Sequence, residues 1–264
     1  MTSVPQLLCT VRTCHLPLAR EPRRVICPSG HAFDIARSGY INLLQPQEKR
    51  SRAPGDTPEA VAARRRFLDR GHAAPLLDAI RALVGDPENI LDAGCGEGYY
   101  LGSLGRGCGV DISTAAVDLA ARRYPQCEWV VANADRFVPY ADASFDVVLS
   151  ITGRMNANEF RRVIREDGRL LVAVAAPDDL GELRGRTGRD RVERTIAAFP
   201  NFEPVHRERV TTVAELSAQD AADILRATYR PRDAAPRSVT LSLDLLLFRP
   251  LSGSSAGTAR DSSG

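Results

Sequence analysis

A single lysine, Lys49, stands against 34 arginines in this 264-residue chain, and that ratio carries no functional meaning by itself. Long apolar runs are missing. The most extended, such as Leu170 to Ala176, are strand-length and far short of a bilayer crossing, so no membrane partner is expected. Met1 to Pro5 show no basic start leading into an apolar core, so no secretory leader is expected and the cytoplasm is the expected compartment. Also missing is a G-x-G-x-x-G motif of the kind that seats a dinucleotide pyrophosphate. The hydrophobic content of 44% is ordinary for a globular protein, and the length allows one large domain plus a small one.

The net charge of +2 conceals an asymmetry. Residues 1–70 carry 12 basic and 6 acidic side chains, a net of +6; the rest carry 23 and 27, a net of −4. The basic excess of the N-terminal quarter suits a polyanion-facing surface, or a merely solvated charged face.

The most informative stretch is Asn89 to Tyr100, N-I-L-D-A-G-C-G-E-G-Y-Y. An aliphatic run ends in an acidic residue, Asp92; Gly94, Gly96 and Gly98 follow at every second position, and then a helix-compatible segment begins. Without Cβ atoms in the way, backbone amides in such a loop can approach a ligand closely. Asp111, in G-V-D-I-S, falls where a second strand should end, the place from which a carboxylate accepts hydrogen bonds from ribose hydroxyls. These features together predict an adenosine-containing cofactor. Taken singly, Asp92 reads equally well as a strand-end turn former, and Asp135, in Asn133-Ala134-Asp135, as a helix N-cap.

Cys9, Cys14, Cys27 and His31 are spaced C-x4-C-x12-C-x3-H. Two knuckles of two ligands each suit tetrahedral zinc, with Leu16 to Ile26 long enough for a short hairpin between them. About 30 residues cannot bury a real core, so a structural metal would supply the missing folding energy. A disulfide pair or free thiols are the alternatives, and His15 could compete as a ligand; His31 is preferred because it completes the second knuckle. Cys95, Cys108 and Cys127 fall in or beside expected strands and read as buried.

Residues 1–40 thus read as a zinc-binding module, 41–85 as a basic linker and helices, 86–250 as an α/β domain and 251–264 as a Ser/Gly-rich disordered tail. Within the linker, Ile41 to Thr57 are expected as a polar connection carrying Lys49-Arg50-Ser51-Arg52. Helices are expected over Pro58 to Leu68 and Ala74 to Val84. From Ile90, strands are expected at 90–94, 108–112, 128–132, 145–151 and 169–175, with helices at 114–123 and 157–165 between them, as a parallel sheet requires. Helical segments near 188–199 and 217–227 should precede strands near 205–212 and 238–248.

The series of glycine loop, Asp111, Asn133-Ala134-Asp135 and Ser144-Phe145-Asp146 resembles the S-adenosylmethionine-dependent methyltransferases with a Rossmann-like sheet. More specifically, C-P-S-G-H-A-F-D-I-A-R-S-G-Y-I-N-L-L (27–44), K-R-S-R-A-P-G-D (49–56), A-R-R-R-F-L-D-R-G-H (63–72) and L-D-A-G-C-G-E-G-Y-Y (91–100) resemble the RlmA family of bacterial 23S rRNA (guanine-N1)-methyltransferases. The resemblance implies zinc on Cys9, Cys14, Cys27 and His31. It implies S-adenosylmethionine held around Asp92, Gly94, Gly96, Glu97, Gly98, Tyr99, Asp111, Ala134 and Asp135, with Asp111 at the ribose and Asp135 near the adenine. It further implies a guanine in a 23S rRNA hairpin as target, a homodimer, and zinc modules that help to grip RNA.

Four features depart from that family. The first knuckle is C-x4-C where C-x2-C is usual, and the segment from Gly98 to Asp111 is short. In addition, T-G-R-M-N-A (152–157) stands where an aromatic-Ala-Pro turn is usual, and Gly185 to Thr195 lacks the usual aromatic and histidine residues. The sequence therefore also leaves open a small-molecule methyltransferase, a different RNA base, or a non-catalytic RNA-binding relative. Thr152, Arg154, Asn156, Asn158, Asp178 and Asp179 are candidates for base contact, although Asn156 reads equally as an N-cap and Asp178-Asp179 as a helix first turn. Arg12, Arg20, Arg23, Arg24, Lys49, Arg50 and Arg52 are candidates for phosphate contact. Arg64, Arg65 and Arg66 read equally as a solvated helix face.

Overall fold

Parallel strands can be joined only by crossovers, and the alternation of apolar runs with helical segments from Ile90 builds such a sheet. The computed structural model describes residues 5–48, 55–153, 155–229 and 237–251. Near the N-terminus, β1 (Ala19–Arg20), β2 (Arg24–Ile26) and β3 (Ala32–Asp34) form a small antiparallel sheet in that order. β4 (Ile41–Asn42) follows, then α1 (Pro58–Asp69) and α2 (Ala74–Val84). The first half of the main fold comprises β5 (Ile90–Ala93), α3 (Tyr99–Leu104), β6 (Cys108–Asp111), α4 (Thr114–Arg123) and β7 (Glu128–Val131). The second half begins with β8 (Phe145–Ile151), α5 (Ala157–Val163) and β9 (Ile164–Ala175). Two short helices, α6 (Gly181–Arg184) and α7 (Val192–Ala197), lead to β10 (Phe202–Glu215), α8 (Ala218–Ala227) and β11 (Ser238–Pro250).

The main sheet has eight strands in the order β10-β11-β9-β8-β5-β6-β7-β4. From β9 to β4 all neighbours are parallel, whereas β11 runs antiparallel to both β9 and β10. Chain order reverses at β5, with β6 and β7 on one side and β8 and β9 on the other. Loops leaving the C-terminal ends of β5, β6 and β8 therefore diverge, and a crevice opens between them. Alternation along the strands divides the core between the two faces: Leu91, Val130 and Val148 pack in one apolar cluster, and Ile90, Trp129, Val131, Val147 and Leu149 in the other.

Two sequence expectations change. The stretch from Ile41, expected to open a polar connection, begins instead as β4, pairing with β7, and Ile41 and Leu43 are fully buried. Leu7, Leu18 and Val25 share a cluster with Val130 and Tyr140, so the small sheet is packed against the edge of the large one rather than held on a tether. The arginine triplet of α1 is the second change, because only Arg66 of the three is exposed. Arg65 is 5% exposed, bonded to Asp69, the Glu97 carbonyl and the Tyr124 hydroxyl. Arg66 pairs with the buried Asp223 of α8 at 2.6 Å. Arg70, which caps the C-terminal end of α1, pairs with Asp223 and Asp220 of the same helix, so Arg66 and Arg70, both still exposed to solvent, also clamp α8. Lys49 to Arg52, Arg154 and the tail from Ser252 lie outside the described residues.

Candidate functional site

A cavity of about 800 Å³ occupies the crevice at the point where strand order reverses. Its floor is the loop after β5. Gly94 and Cys95 donate their amides to the Val110 carbonyl at 2.8 and 3.1 Å, which bends the chain sharply away from the sheet. The three glycines serve different ends. Gly94 lines the cavity, and a Cβ there would meet only the Gly153 Cα at 3.5 Å. At Gly96 the neighbour is the Arg64 guanidinium, 3.2 Å away. Gly98 does not line the cavity; a Cβ on it would lie 2.4 Å from the Trp129 ring, so this glycine is required by packing.

Among the described residues seven Asp, Glu or Arg side chains line this space, and six of them are acidic: Glu48, Asp56, Asp92, Glu97, Asp111 and Asp135 oppose Arg64. Asp111, at the end of β6, accepts from the Gly96 amide at 3.0 Å and the Ser113 amide at 2.8 Å. Burial pushes its carboxyl up against the opposing effect of those two bonds and of Arg64. Asp92 is 1% exposed, and its Oδ1 has no hydrogen-bond partner among the described residues. Burial first, then the charges of Asp111 and Glu97, push Asp92 to about 7. A buried acceptor left unpaired in a cavity wall is costly unless a ligand donates to it.

Arg64 bridges Asp56 at 2.5 Å and Glu97 at 2.7 Å. Burial works against its charge, but the two carboxylates outweigh that and hold the guanidinium protonated. The bridge ties α1 to the glycine loop. The Asp56 carbonyl accepts from the Ser113 hydroxyl at 3.2 Å, and the Thr57 amide donates to the Tyr229 hydroxyl at 2.9 Å, so the chain entering α1 lies across the mouth of the cavity. Sequence reasoning missed Arg64, Asp56 and Tyr100 as lining residues. Nothing in the local pattern marks Arg64 or Asp56, because α1 meets the loop through its docking on α4 and α8, whereas Tyr100 closes the glycine motif itself.

Of the expected cofactor residues, Asp92, Gly94, Gly96, Glu97, Tyr99, Asp111, Ala134 and Asp135 line this one cavity, and Gly98 stands behind it. Of the candidates for base contact, Thr152 and Asn156 line it, whereas Asn158, Asp178 and Asp179 do not. Asp179 is buried elsewhere, accepting from the Ser242 amide and pairing with Arg184. Asn156 caps α5 through the Glu159 amide and donates to the Ala134 and Asp135 carbonyls at 3.1 and 3.0 Å, fixing the loop after β7. Thr152 holds a left-handed φ of 51°, an outlier for a β-branched residue. Strain of this kind persists where surrounding structure imposes it, and here it lies in the cavity wall.

At the other end of the chain, the ligand atoms of Cys9, Cys14, Cys27 and His31 all lie within 4.8 Å of one another. Cys14 Sγ is 3.8 Å from Cys27 Sγ, and His31 Nδ1 is 3.5 and 3.4 Å from the sulfurs of Cys9 and Cys27. With bonds of about 2.3 Å to sulfur and 2.0 Å to nitrogen, a tetrahedral zinc spaces its ligands about 3.8 Å (S to S) and 3.5 Å (S to N) apart. The donors fit. The six cysteines are free, and a 3.8 Å sulfur separation is far from the roughly 2 Å of a disulfide. His15 points elsewhere, stacking on Phe137. Four protein donors leave no open position, so a metal here is structural.

Residues 8–52 match the family described as RlmA, N-terminal, a zinc ribbon, and residues 91–173 match the family described as methyltransferase domain. A 23S rRNA (guanine(748)-N(1))-methyltransferase of Streptomyces fradiae is 35% identical, over 90% of this chain and 95% of its own. Among solved structures, an S-adenosylmethionine-dependent methyltransferase of Thermotoga maritima is 15% identical with a TM-score of 0.52, covering 74% of this chain and 98% of its own. The [4+2]-cyclase SpnF is 18% identical with a TM-score of 0.50, covering 69% and 82%. Such likenesses establish the fold and leave the chemistry to the site.

Proposed function

The chain belongs to the family of 23S rRNA (guanine-N1)-methyltransferases, and from that premise we propose which of its residues hold S-adenosylmethionine and present the base. As a member it is an S-adenosylmethionine-dependent enzyme with a structural zinc ribbon, and it methylates N1 of a guanine in large-subunit ribosomal RNA. The observation that carries the cofactor assignment is the charge of the cavity, six carboxyl groups against one arginine among the described residues. Such a wall repels a pyrophosphate and attracts a ligand bearing a sulfonium and an ammonium group. When bound, S-adenosylmethionine supplies a methyl group on a positively charged sulfur.

The residues divide the work. The backbone of Gly94 to Gly96 makes room for the methionine portion, and Asp92 Oδ1 accepts a hydrogen bond from the ligand. Asp111, already held by two amides, keeps lone pairs for ribose hydroxyls, while Ala134 and Asp135 face the adenine. Thr152 and Asn156 border the side from which the guanine enters. Displacement at a methyl carbon needs chiefly alignment, and the proton that guanine N1 carries would leave to solvent, so the main task of these groups is to position the base. Cys9, Cys14, Cys27 and His31 hold the zinc. The finer readings are an RNA hairpin as the substrate element, a homodimer and a cytoplasmic location. Family resemblance supports all three, and the basic N-terminal quarter suits a polyanionic substrate in general.

The test is transfer of labelled methyl to large-subunit rRNA from cells lacking the endogenous guanine methyltransferase, followed by digestion to nucleosides. Labelled 1-methylguanosine is expected. Label in another nucleoside, or none despite measurable cofactor binding, refutes the substrate reading. Light scattering at assay concentrations checks for twice the 28.7 kDa chain mass.

A further inference from the structure

A second cavity, of about 360 Å³, opens at the seam between the zinc ribbon and the methyltransferase domain. Thr10, Arg12 and His15 form its ribbon side, and Asn133, Phe137 and Arg162 its domain side. Glu48 and Asn133 line this cavity and the larger one alike, so the two adjoin just past the end of β7.

Three features of the seam are unused by the cofactor site. The His15 ring lies parallel to that of Phe137, with centroids 4.0 Å apart and 7° between planes, and the Arg162 guanidinium carbon lies 4.8 Å from the centre of the same Phe137 ring. His15 is nevertheless exposed, so its ring extends a stack of flat groups toward solvent. Arg12 and His15, neither of them glycine, hold left-handed φ values of 49° and 45°, so the turn carrying Cys14 is bent at a cost to present both side chains. Arg136 and Arg162 are neutralised by Glu48 and Glu159, whereas the Arg12 guanidinium has no partner among the described residues. One uncompensated guanidinium beside an exposed, pre-stacked ring is the chemistry that binds an unpaired nucleotide: the base on the ring, the phosphate on the arginine.

We propose that this seam binds an unpaired RNA nucleotide neighbouring the guanine that is methylated, its base stacked on His15 and its phosphate held by Arg12. The proposal rests on the ribosomal RNA reading above and adds to it a second subsite that spans ribbon and domain. A base drawn out of its stack leaves its neighbours unsupported, and a stacking surface beside the reaction cavity holds one of them in place of the lost partner. The ribbon then sets the register of the RNA as well as its grip.

The experiment uses the full zinc-loaded chain and in vitro transcribed 23S rRNA, and compares wild type with His15→Ala, His15→Tyr and Arg12→Ala. Affinity for RNA is measured at several salt concentrations, alongside zinc content, thermal midpoint and affinity for S-adenosylmethionine. His15→Ala is expected to weaken RNA binding about ten-fold, and His15→Tyr to restore most of it, because any flat ring can stack. Arg12→Ala should lower the slope of log affinity against log salt by about one phosphate contact. Zinc content and cofactor affinity should stay at wild-type values throughout. RNA affinity and salt slope unchanged in both His15→Ala and Arg12→Ala would overturn the subsite, leaving the stack as glue between ribbon and domain. Joint loss of zinc, cofactor and RNA binding would overturn it equally, because the residues would then be structural. A wild-type chain that binds S-adenosylmethionine but no rRNA fails the substrate reading itself, and the subsite with it.

Discussion

Alanine at Gly98 should destabilise the fold while barely touching cofactor affinity, and alanine at Gly94 should do the reverse. At Gly98 a Cβ would lie 2.4 Å from the Trp129 ring and 2.9 Å from the Ala120 Cβ, on a backbone with φ of 76°. The left-handed conformation costs a non-glycine residue about 1 kcal/mol, and forcing a methyl into a filled core costs about 1–3 kcal/mol, so Gly98→Ala should lose about 3 kcal/mol. At Gly94 φ is 87°, but the nearest atom is the Gly153 Cα at an ordinary 3.5 Å, so the backbone cost of about 1 kcal/mol stands alone. The new methyl there faces the cavity. Crowding the ligand by about 1.4 kcal/mol weakens S-adenosylmethionine ten-fold. The chain has one tryptophan, and it is the residue against which Gly98 packs, so urea unfolding followed by Trp129 fluorescence reads the first effect directly. Calorimetric titration with S-adenosylmethionine reads the second. A Gly98→Ala protein unfolding at the wild-type midpoint, or a Gly94→Ala protein binding at wild-type affinity, would refute the division of labour among the glycines.

Other perturbations follow from the same geometry. Arg64→Met leaves Glu97, 3% exposed, without its cation, and should lower stability by about 3 kcal/mol in urea unfolding; a wild-type midpoint would show the bridge to be idle. Asp92 is raised to about 7 from an ordinary value near 4, so the folded ligand-free protein holds a proton that the unfolded chain releases between those two pH values. Stability without cofactor should therefore fall as pH rises through that window, while affinity for the cationic cofactor should rise as Asp92 ionises near 7. Asp92→Asn should flatten both trends, and titrations from pH 5 to 8 decide whether it does. Cys27→Ser should cost the zinc and with it most RNA affinity, whereas S-adenosylmethionine affinity should stay within about ten-fold, since binding free energy of a structural zinc is spent on folding the ribbon. Zinc content and both affinities, measured on one preparation, check this.

What was legible in the sequence is what depends on neighbours along the chain. The glycine loop, Asp111 and Asn133-Ala134-Asp135 each follow a strand, and strand ends in a parallel sheet converge on one edge. Their spacing therefore foretold that they would share a cavity, and they do. The two cysteine knuckles were legible for the same reason: turn geometry brings each pair together locally, and tetrahedral zinc explains why two pairs are needed. The long hairpin of β10 and β11 lay in two β-rich stretches whose bounds, set by pairing, extend further than their composition indicated.

Only the tertiary structure decided the rest. Three successive arginines in α1 look alike in sequence, yet one bridges the glycine loop to Asp56, one lies buried against Tyr124, and one clamps α8. Each points a different way around the helix, and which wall each meets depends on packing against elements far along the chain. Gly98 and Gly94 are likewise equivalent as letters; one faces a tryptophan and the other a cavity. The seam where His15 meets Phe137 joins residues 122 positions apart, and no local pattern announces it. Hydrophobic period and turn chemistry are properties of short segments, so the sequence by itself determined the elements and the order of the site loops. Charge pairing and close approach are properties of surfaces brought together by folding, so the use of each arginine and glycine was settled only there.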